Sequence, residues 1–498
     1  MKRLAFSFAA LGAFALLGSC SSGFPTRHES QHLVVIRKDG NFGTPDVRLP
    51  INFSPSNVVK VRVEARRTDG SLDTDANNFV RISVKPGTVY SAGNGSTGRN
   101  VQLKAGVADD IDISVIASFG DTRIWAEDVG YVPVTDLTRK PPPACSDGVD
   151  NDGDGVVDFP ADPGCFAPND DTEETGTLAT GVSDTIYYAL PRIADVRGAT
   201  TTGGTATPFP KEQLKIDTGY VEGKNGTPSS FLFDTVVTRI ASDGFYVTDV
   251  QDQTTRGYAS VFMFTFSAPQ KLGVCDRLRS LQGTASDFFG FTEMGFPTWS
   301  VETWDPKVRP CLVPEPRVFT LAEVKDTTVL FRYESALVRL LSNAPVAVHI
   351  GAHIGPGKPD APAYASTDTA SNCDLNGSGK VDFSLPDEAA CSNACTADPE
   401  CSEFQSFLGQ GNFALVLTDG VTTSKAQGNG GAAPDFDPVT LRGKPVKAFT
   451  GTMRYFSGGN QFTIEARCVD DIVLDMNATP LASDKACVIA NDRDPNLP

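Results

Sequence analysis

Short stretches in which apolar and polar residues alternate recur along most of the chain. Val58-Val59-Lys60-Val61-Arg62-Val63-Glu64-Ala65, Phe79-Val80-Arg81-Ile82-Ser83-Val84 and Ile111-Asp112-Ile113-Ser114-Val115-Ile116 each repeat with a period near two. Successive side chains of a strand point to opposite faces, so these runs predict strands with one buried face. Turn-forming residues such as Ala92-Gly93-Asn94-Gly95 separate them. Long amphipathic helical patterns are missing, and the expected fold class is all-β and multi-domain.

Short strands with frequent turns over 46–136 predict a β-sandwich of immunoglobulin-like type, a spacer or adhesive module without chemistry of its own. From about 180 to 475 the strand pattern returns twice. In the first pass, Thr235-Val236-Val237-Thr238-Arg239-Ile240 is followed by Gly244-Phe245-Tyr246-Val247-Thr248-Asp249, then by Ser260-Val261-Phe262-Met263-Phe264. Next come Cys275-Asp276-Arg277-Leu278-Arg279-Ser280-Leu281-Gln282-Gly283 and Phe288-Phe289-Gly290-Phe291-Thr292-Glu293. The order predicts a small five-stranded barrel over 179–318. It resembles the OB-fold regions of secreted bacterial endonuclease/exonuclease/phosphatase-type nucleases, with Cys275 and Met294 in place of the usual Gly and Leu. A second OB-like barrel is expected over 319–475, from Tyr333-Glu334-Ser335-Ala336-Leu337-Val338, Phe413-Ala414-Leu415-Val416-Leu417, Gly451-Thr452-Met453-Arg454-Tyr455-Phe456 and Phe462-Thr463-Ile464-Glu465. A cysteine-rich piece is inserted in it, and a tail covers 476–498.

The N-terminus sets the compartment. Lys2 and Arg3 precede a short apolar run to Leu17, and then Gly18-Ser19-Cys20. This is a secretory signal pattern, too short for a membrane-spanning helix. The cysteine after small residues resembles the lipobox of bacterial lipoproteins. That resemblance implies a signal peptide over 1–19, lipidation at Cys20, and a tether over 20–45 whose acyl chains insert into the membrane. The same resemblance, to lipoprotein sorting, implies the outer membrane, because Ser21 rather than an acidic residue follows the cysteine. Cell-envelope, lipid-anchored localisation is the expectation.

Charge and cysteines narrow the partners. Net charge is −18, and losing Lys2 and Arg3 makes it more negative. An acidic surface repels phosphate backbones, which favours a glycan or a surface protein over nucleic acid as partner. Eleven cysteines less Cys20 leave an even set in an oxidising compartment. Nearest neighbours pair as Cys145–Cys165, Cys275–Cys311 and Cys468–Cys487. Cys373, Cys391, Cys395 and Cys401 would pair among themselves, in an order that spacing leaves open. Their spacing is not that of two zinc knuckles.

The segment 137–178 carries the clearest candidate chemistry. After Pro141-Pro142-Pro143 it runs Cys145-Ser146-Asp147-Gly148-Val149-Asp150-Asn151-Asp152-Gly153-Asp154-Gly155-Val156-Val157-Asp158. Asp150, Asp152 and Asp154 hold positions 1, 3 and 5 of an EF-hand-type calcium loop, Gly155 holds position 6 and Asp158 position 9. Calcium takes six to eight hard oxygens, and alternate side chains of a tight loop converge on one point. The carboxylate expected at position 12 is replaced by Ala161, with Asp162 next to it. Asp147 adds a further carboxylate, and the alternative is a solvated acidic linker without metal. The stretch resembles the Cys-bracketed aspartate repeats of myxobacterial surface proteins and thrombospondin type 3 repeats, which implies structural Ca2+. A second candidate loop has Asp374, Asn376 and Ser378 at positions 1, 3 and 5, with Asp382 at position 9. A simple Asn-Gly turn is its alternative.

Catalytic signals are weak. His349 and His353 lack the following Glu of a metalloprotease motif, GxSxG is not found, and Glu293, Asp287 and Glu334 read as structural acids near barrel strands. The resembling nucleases continue into a catalytic domain, whereas here only the tail follows the second barrel. The expected function is a non-enzymatic, calcium-stabilised surface lipoprotein that binds an extracellular ligand. The alternatives are a structural spacer or a degenerate nuclease-related protein that binds nucleic acid.

Overall fold

The computed structural model describes residues 32–54, 57–93, 99–174, 178–224, 226–344, 346–351, 384–390, 412–418, 422–427, 436, 441, 443–456 and 461–488. Their regular structure is mostly strand, in several sheets. Cys20, the four cysteines from Cys373 to Cys401, and the candidate loop with Asp374, Asn376, Ser378 and Asp382 lie outside them.

The first unit has strands β1 His32–Asp39, β2 Asn57–Arg66, β3 Phe79–Lys85, β4 Thr88–Ala92, β5 Asn100–Gln102, β6 Val107–Ile116, β7 Asp121–Asp128, β8 Gly181–Val182 and β9 Ile186–Tyr187. They form two sheets, ordered β1-β2-β6-β4 and β5-β3-β7-β8, with β9 also on β7. The alternation has the effect it predicts. Val59, Val61 and Val63 from one sheet and Val80, Ile82 and Ile124 from the other are fully buried in one shared core. Each such side chain contributes about 1.5–3 kcal/mol relative to exposure.

Two features of this unit extend past the sequence reading. Strand β1 falls in the stretch read as tether, yet it pairs antiparallel with β2 from His32↔Arg66 to Asp39↔Lys60. Strands β8 and β9 follow the Asp-rich segment and return to β7, at Trp125↔Val182 and Thr122↔Ile186. The Asp-rich segment is therefore an excursion from one edge of the first unit rather than a free linker.

The second unit has β10 Gln213–Ile216, β11 Tyr220–Val221, β12 Ser230–Phe231, β13 Thr235–Ala241, β14 Gly244–Asp249, β15 Ser260–Phe264, β16 Arg277–Phe288 and β17 Phe291–Glu302. Pairing runs β10-β16-β13-β14-β15-β17, and β17 also pairs with β16. The contact between β15 and β17 is parallel. Phe245, Tyr246 and Phe262 are fully buried, so these aromatics serve packing. Cys275–Cys311 closes the unit's edge, with Cα atoms 5.0 Å apart.

The third unit has β18 Arg317–Val318, β19 Leu337–Leu341, β20 Val348–Ile350, β21 Asn412–Leu417, β22 Thr423–Gln427, β23 Pro445–Val446, β24 Ala448–Phe456, β25 Gln461–Glu465 and β26 Ile472–Val473. Its order is β18-β19-β24-β25-β22-β21-β20-β23, with β26 on β24 and a parallel β22–β25 contact. Cys468–Cys487 ties the segment after β25 to residues beyond β26.

Buried polar contacts join the second and third units. Arg197 pairs with Glu334, and neither side chain is exposed. Arg239 Nη1 lies 2.8 Å from Glu465 Oε2 and also donates to the Thr452 hydroxyl. Arg454 sits over the rings of Phe262 and Phe291, 5.5 and 5.3 Å from their centroids. Phe53 and Phe119 of the first unit pack edge-on against Phe209 of the second.

Candidate cation-binding loop

The excursion is held at its base by backbone and side chain together. Val134 N–H donates to Asn169 O, and Asp171 N–H to Val132 O. Asp170 is fully buried. Its carboxylate accepts from Val132 N–H at 2.9 Å and Phe166 N–H at 3.2 Å. Burial raises its pKa above the usual range, and those N–H donors offset part of the rise. Cys145–Cys165 staples the excursion across a separation of 20 residues, with Cα atoms 5.6 Å apart. Closing a loop of that length in the unfolded chain contributes about 3 kcal/mol in the chain-entropy model.

Within the staple, the loop turns on its own side chains. Asp150 accepts from Gly153 N–H at 2.7 Å and from Gly155 N–H at 3.0 Å. Asp152 accepts from Asp154 N–H, and Asp154 from Val156 N–H. Gly153 and Gly155 have φ of 80° and 91°, a region that side-chain-bearing residues avoid. The outcome is convergence: one carboxylate oxygen each from Asp150, Asp152 and Asp154 lies within 4.8 Å of the others. Two oxygens bound to one calcium at 2.3–2.6 Å are separated by no more than about 5 Å, so the spacing suits a single ion. Without a cation, each carboxylate pair at this distance repels by about 1 kcal/mol even in water.

The remaining predicted ligands are placed elsewhere. Asp147 accepts from Val149 N–H and from Asn151 Nδ2. Asp158, at φ 54°, accepts from Gly148 N–H at 3.0 Å. Both act as turn acceptors and stand outside the converging group. Asp162 is 2% exposed and belongs to a second group with Glu173 and Cys165. Glu173, 1% exposed, was missed by the sequence reading. It sits in the run Asp170-Asp171-Thr172-Glu173-Glu174, where no spacing rule distinguishes a ligand from a solvated acid. Its Oε2 accepts from Asn151 N–H, which ties the end of the excursion to the loop.

The other acidic and histidine candidates have structural surroundings. Burial pushes Glu334 up to about 7, with the Arg197 charge opposing. Burial also raises Glu293, opposed by Arg454. Asp287 accepts from Thr207 N–H and the Thr292 hydroxyl. His349 lies in β20 opposite Val416, and burial lowers its pKa. His353 lies outside the described residues.

No family model matches the chain, and no curated protein matches it. Among solved structures, dimeric latent PorU from Porphyromonas gingivalis is similar at 12% identity, over 64% of this chain and 28% of that one, with a TM-score of 0.16. The chain thus spans less than a third of that protein's length, and so slight a likeness bears on neither fold nor function.

Proposed function

We propose that this chain is an exported, lipid-anchored envelope protein whose calcium-stabilised β-units bind an extracellular glycan or protein and perform no chemistry themselves. Its first unit is read as an immunoglobulin-like sandwich and its second and third as OB-type barrels. Support for the barrels comes from pairing order. In the second unit a circuit runs β13-β14-β15-β17-β16 and back to β13. In the third, β21-β22-β25-β24-β19 repeats that order, with β20, which follows β19 in the chain, pairing to β21. Each circuit has one parallel contact at the equivalent place.

The observation that carries the binding reading is a strip of rings that runs from half-buried Phe264 out to exposed Phe266 and Phe296. Phe264, Phe266 and Phe296 contact in series, with centroids 4.4 and 5.5 Å apart. Phe266 is 64% and Phe296 75% exposed, and both have positive φ, 64° and 50°. Holding a side-chain-bearing residue there costs about 1–2 kcal/mol. Strain spent on presenting rings to solvent points to a contact surface. The usual OB ligand face is otherwise closed here, because Tyr246 and Phe262 pack against Tyr455 of the third unit. A glycan and protein binding screen with wild type and a Phe266→Ala/Phe296→Ala variant tests this reading. Ligand retained at full affinity by the variant would refute the strip as the binding surface.

The spacer reading has its own support in the buried Arg197–Glu334 and Arg239–Glu465 pairs, which lock two units together. It gains if the screen yields no ligand. The calcium reading rests on the convergence of Asp150, Asp152 and Asp154, and chelation tests it. Removal of calcium is expected to lower the melting temperature and speed proteolysis near 145–165, and an unchanged profile would count against it.

A further inference from the structure

We propose that Asp162 and Glu173 hold a second hard divalent cation, of the calcium class, in the buried part of the Cys145–Cys165 excursion, separate from the Asp150–Asp152–Asp154 group. The two carboxylates are 2% and 1% exposed. One oxygen of each is accounted for: Asp162 Oδ1 accepts from Gly164 N–H at 2.6 Å, and Glu173 Oε2 from Asn151 N–H. The other two, Asp162 Oδ2 and Glu173 Oε1, are buried and accept a hydrogen bond from no described group. A carboxylate oxygen of Asp162 lies within 4.8 Å of one from Glu173 and of Cys165 Sγ. That sulfur is bonded to Cys145 and is no ligand. Among the described residues no Lys, Arg or His forms an ion pair with either acid. Arg139, which reaches into the excursion, pairs with Asp171 instead.

Two buried carboxylates without a counter-charge repel each other and lose their hydration. A hard cation removes both costs and takes up the free oxygens. The backbone is shaped to permit the approach. A Cβ at position 164 would lie 1.6 Å from the Glu173 carbonyl oxygen, so glycine alone lets the 162–165 turn press against Glu173. The Asn151 N–H bond places this position next to the first group without merging the two, and it stands whether or not that first group is filled.

Native mass spectrometry of the full chain in calcium, with Glu173→Gln, Asp162→Asn and an Asp150→Asn/Asp152→Asn/Asp154→Asn variant, reads the count against wild type. Glu173→Gln and Asp162→Asn are each expected to lose one calcium. The triple variant should lose a different one and keep the buried ion. Unchanged counts in both buried-site variants overturn the inference. That outcome is decisive whatever the triple variant does. An unchanged count in the triple variant alone overturns only the loop reading. Should a variant misfold or shed both ions, terbium soaked into wild-type crystals decides. An anomalous peak between Asp162 and Glu173, distinct from any at Asp150–Asp154, supports the site, and its absence overturns it.

Discussion

Replacing Glu334 by Gln isolates the titration of one buried acid. Glu334 follows the helix Thr327–Arg332, whose start is fixed by Asp326 accepting from Thr328 and Val329 N–H groups. The acid is thereby delivered into the junction between the second and third units. There it meets Arg197, and its Oε1 accepts from Thr292 N–H at 3.3 Å. Oε2 accepts nothing from the described residues. Burial outweighs the Arg197 charge, and the pKa is pushed up from 4.5 to about 7. Between these values the folded chain holds a proton that the unfolded chain has released. Stability therefore falls as pH rises from about 4.5 to about 7. One pKa unit is 1.36 kcal/mol, so the loss over this window is on the order of 3 kcal/mol. Gln is neutral at every pH and nearly the same shape, so the variant lacks this loss. Urea unfolding of both proteins at pH 5, 6 and 7, at fixed calcium, gives the difference curve in which all other carboxylates cancel. The stability of Glu334→Gln relative to wild type should rise by about 2–3 kcal/mol from pH 5 to pH 7. A difference constant across the window would mean that Glu334 titrates alike in both states, and the burial argument would fail.

Other changes probe the fold and the excursion. Ile113→Ala removes a fully buried side chain from the first unit's shared core and should cost about 2–5 kcal/mol in denaturant unfolding. Gly164→Ala drives a Cβ against the Glu173 carbonyl, so limited proteolysis should cut within 145–173 faster while the first unit's core stays protected. Arg239→Met takes the nearer guanidinium from Glu465, leaving Arg454 at 3.8 Å, and removes the donor to the Thr452 hydroxyl. A loss of about 1–3 kcal/mol is expected from leaving buried acceptors without their donor, seen as earlier unfolding of the second and third units together.

How much could be read from the chain differs by element. Period-two alternation in β2, β3 and β6 identified strands and their buried faces, because a strand's side-chain geometry is local. Tether and strand β1 were not separable. Leu33-Val34-Val35-Ile36 is a short apolar run, and only its register with β2 makes it part of a sheet. In the Asp-rich loop, the residues at positions 1, 3 and 5 converge as spacing within one tight turn requires. Asp147 and Asp158 do not join them; their oxygens accept from Gly148 and Val149 N–H and the Asn151 side chain in turns outside the converging group.

The sequence by itself determined the mostly β character, the bracketing of the Asp-rich loop and the nearest-neighbour cysteine pairs Cys145–Cys165, Cys275–Cys311 and Cys468–Cys487. These follow from periodicity and short separations along the chain. Tertiary structure alone decided that β8 and β9 return to β7, that Arg197 meets Glu334 across 137 residues, and that Glu173 comes to lie beside Asp162. Those outcomes depend on which surfaces exclude water together. A pattern along one strand states which face is buried, but not what buries it.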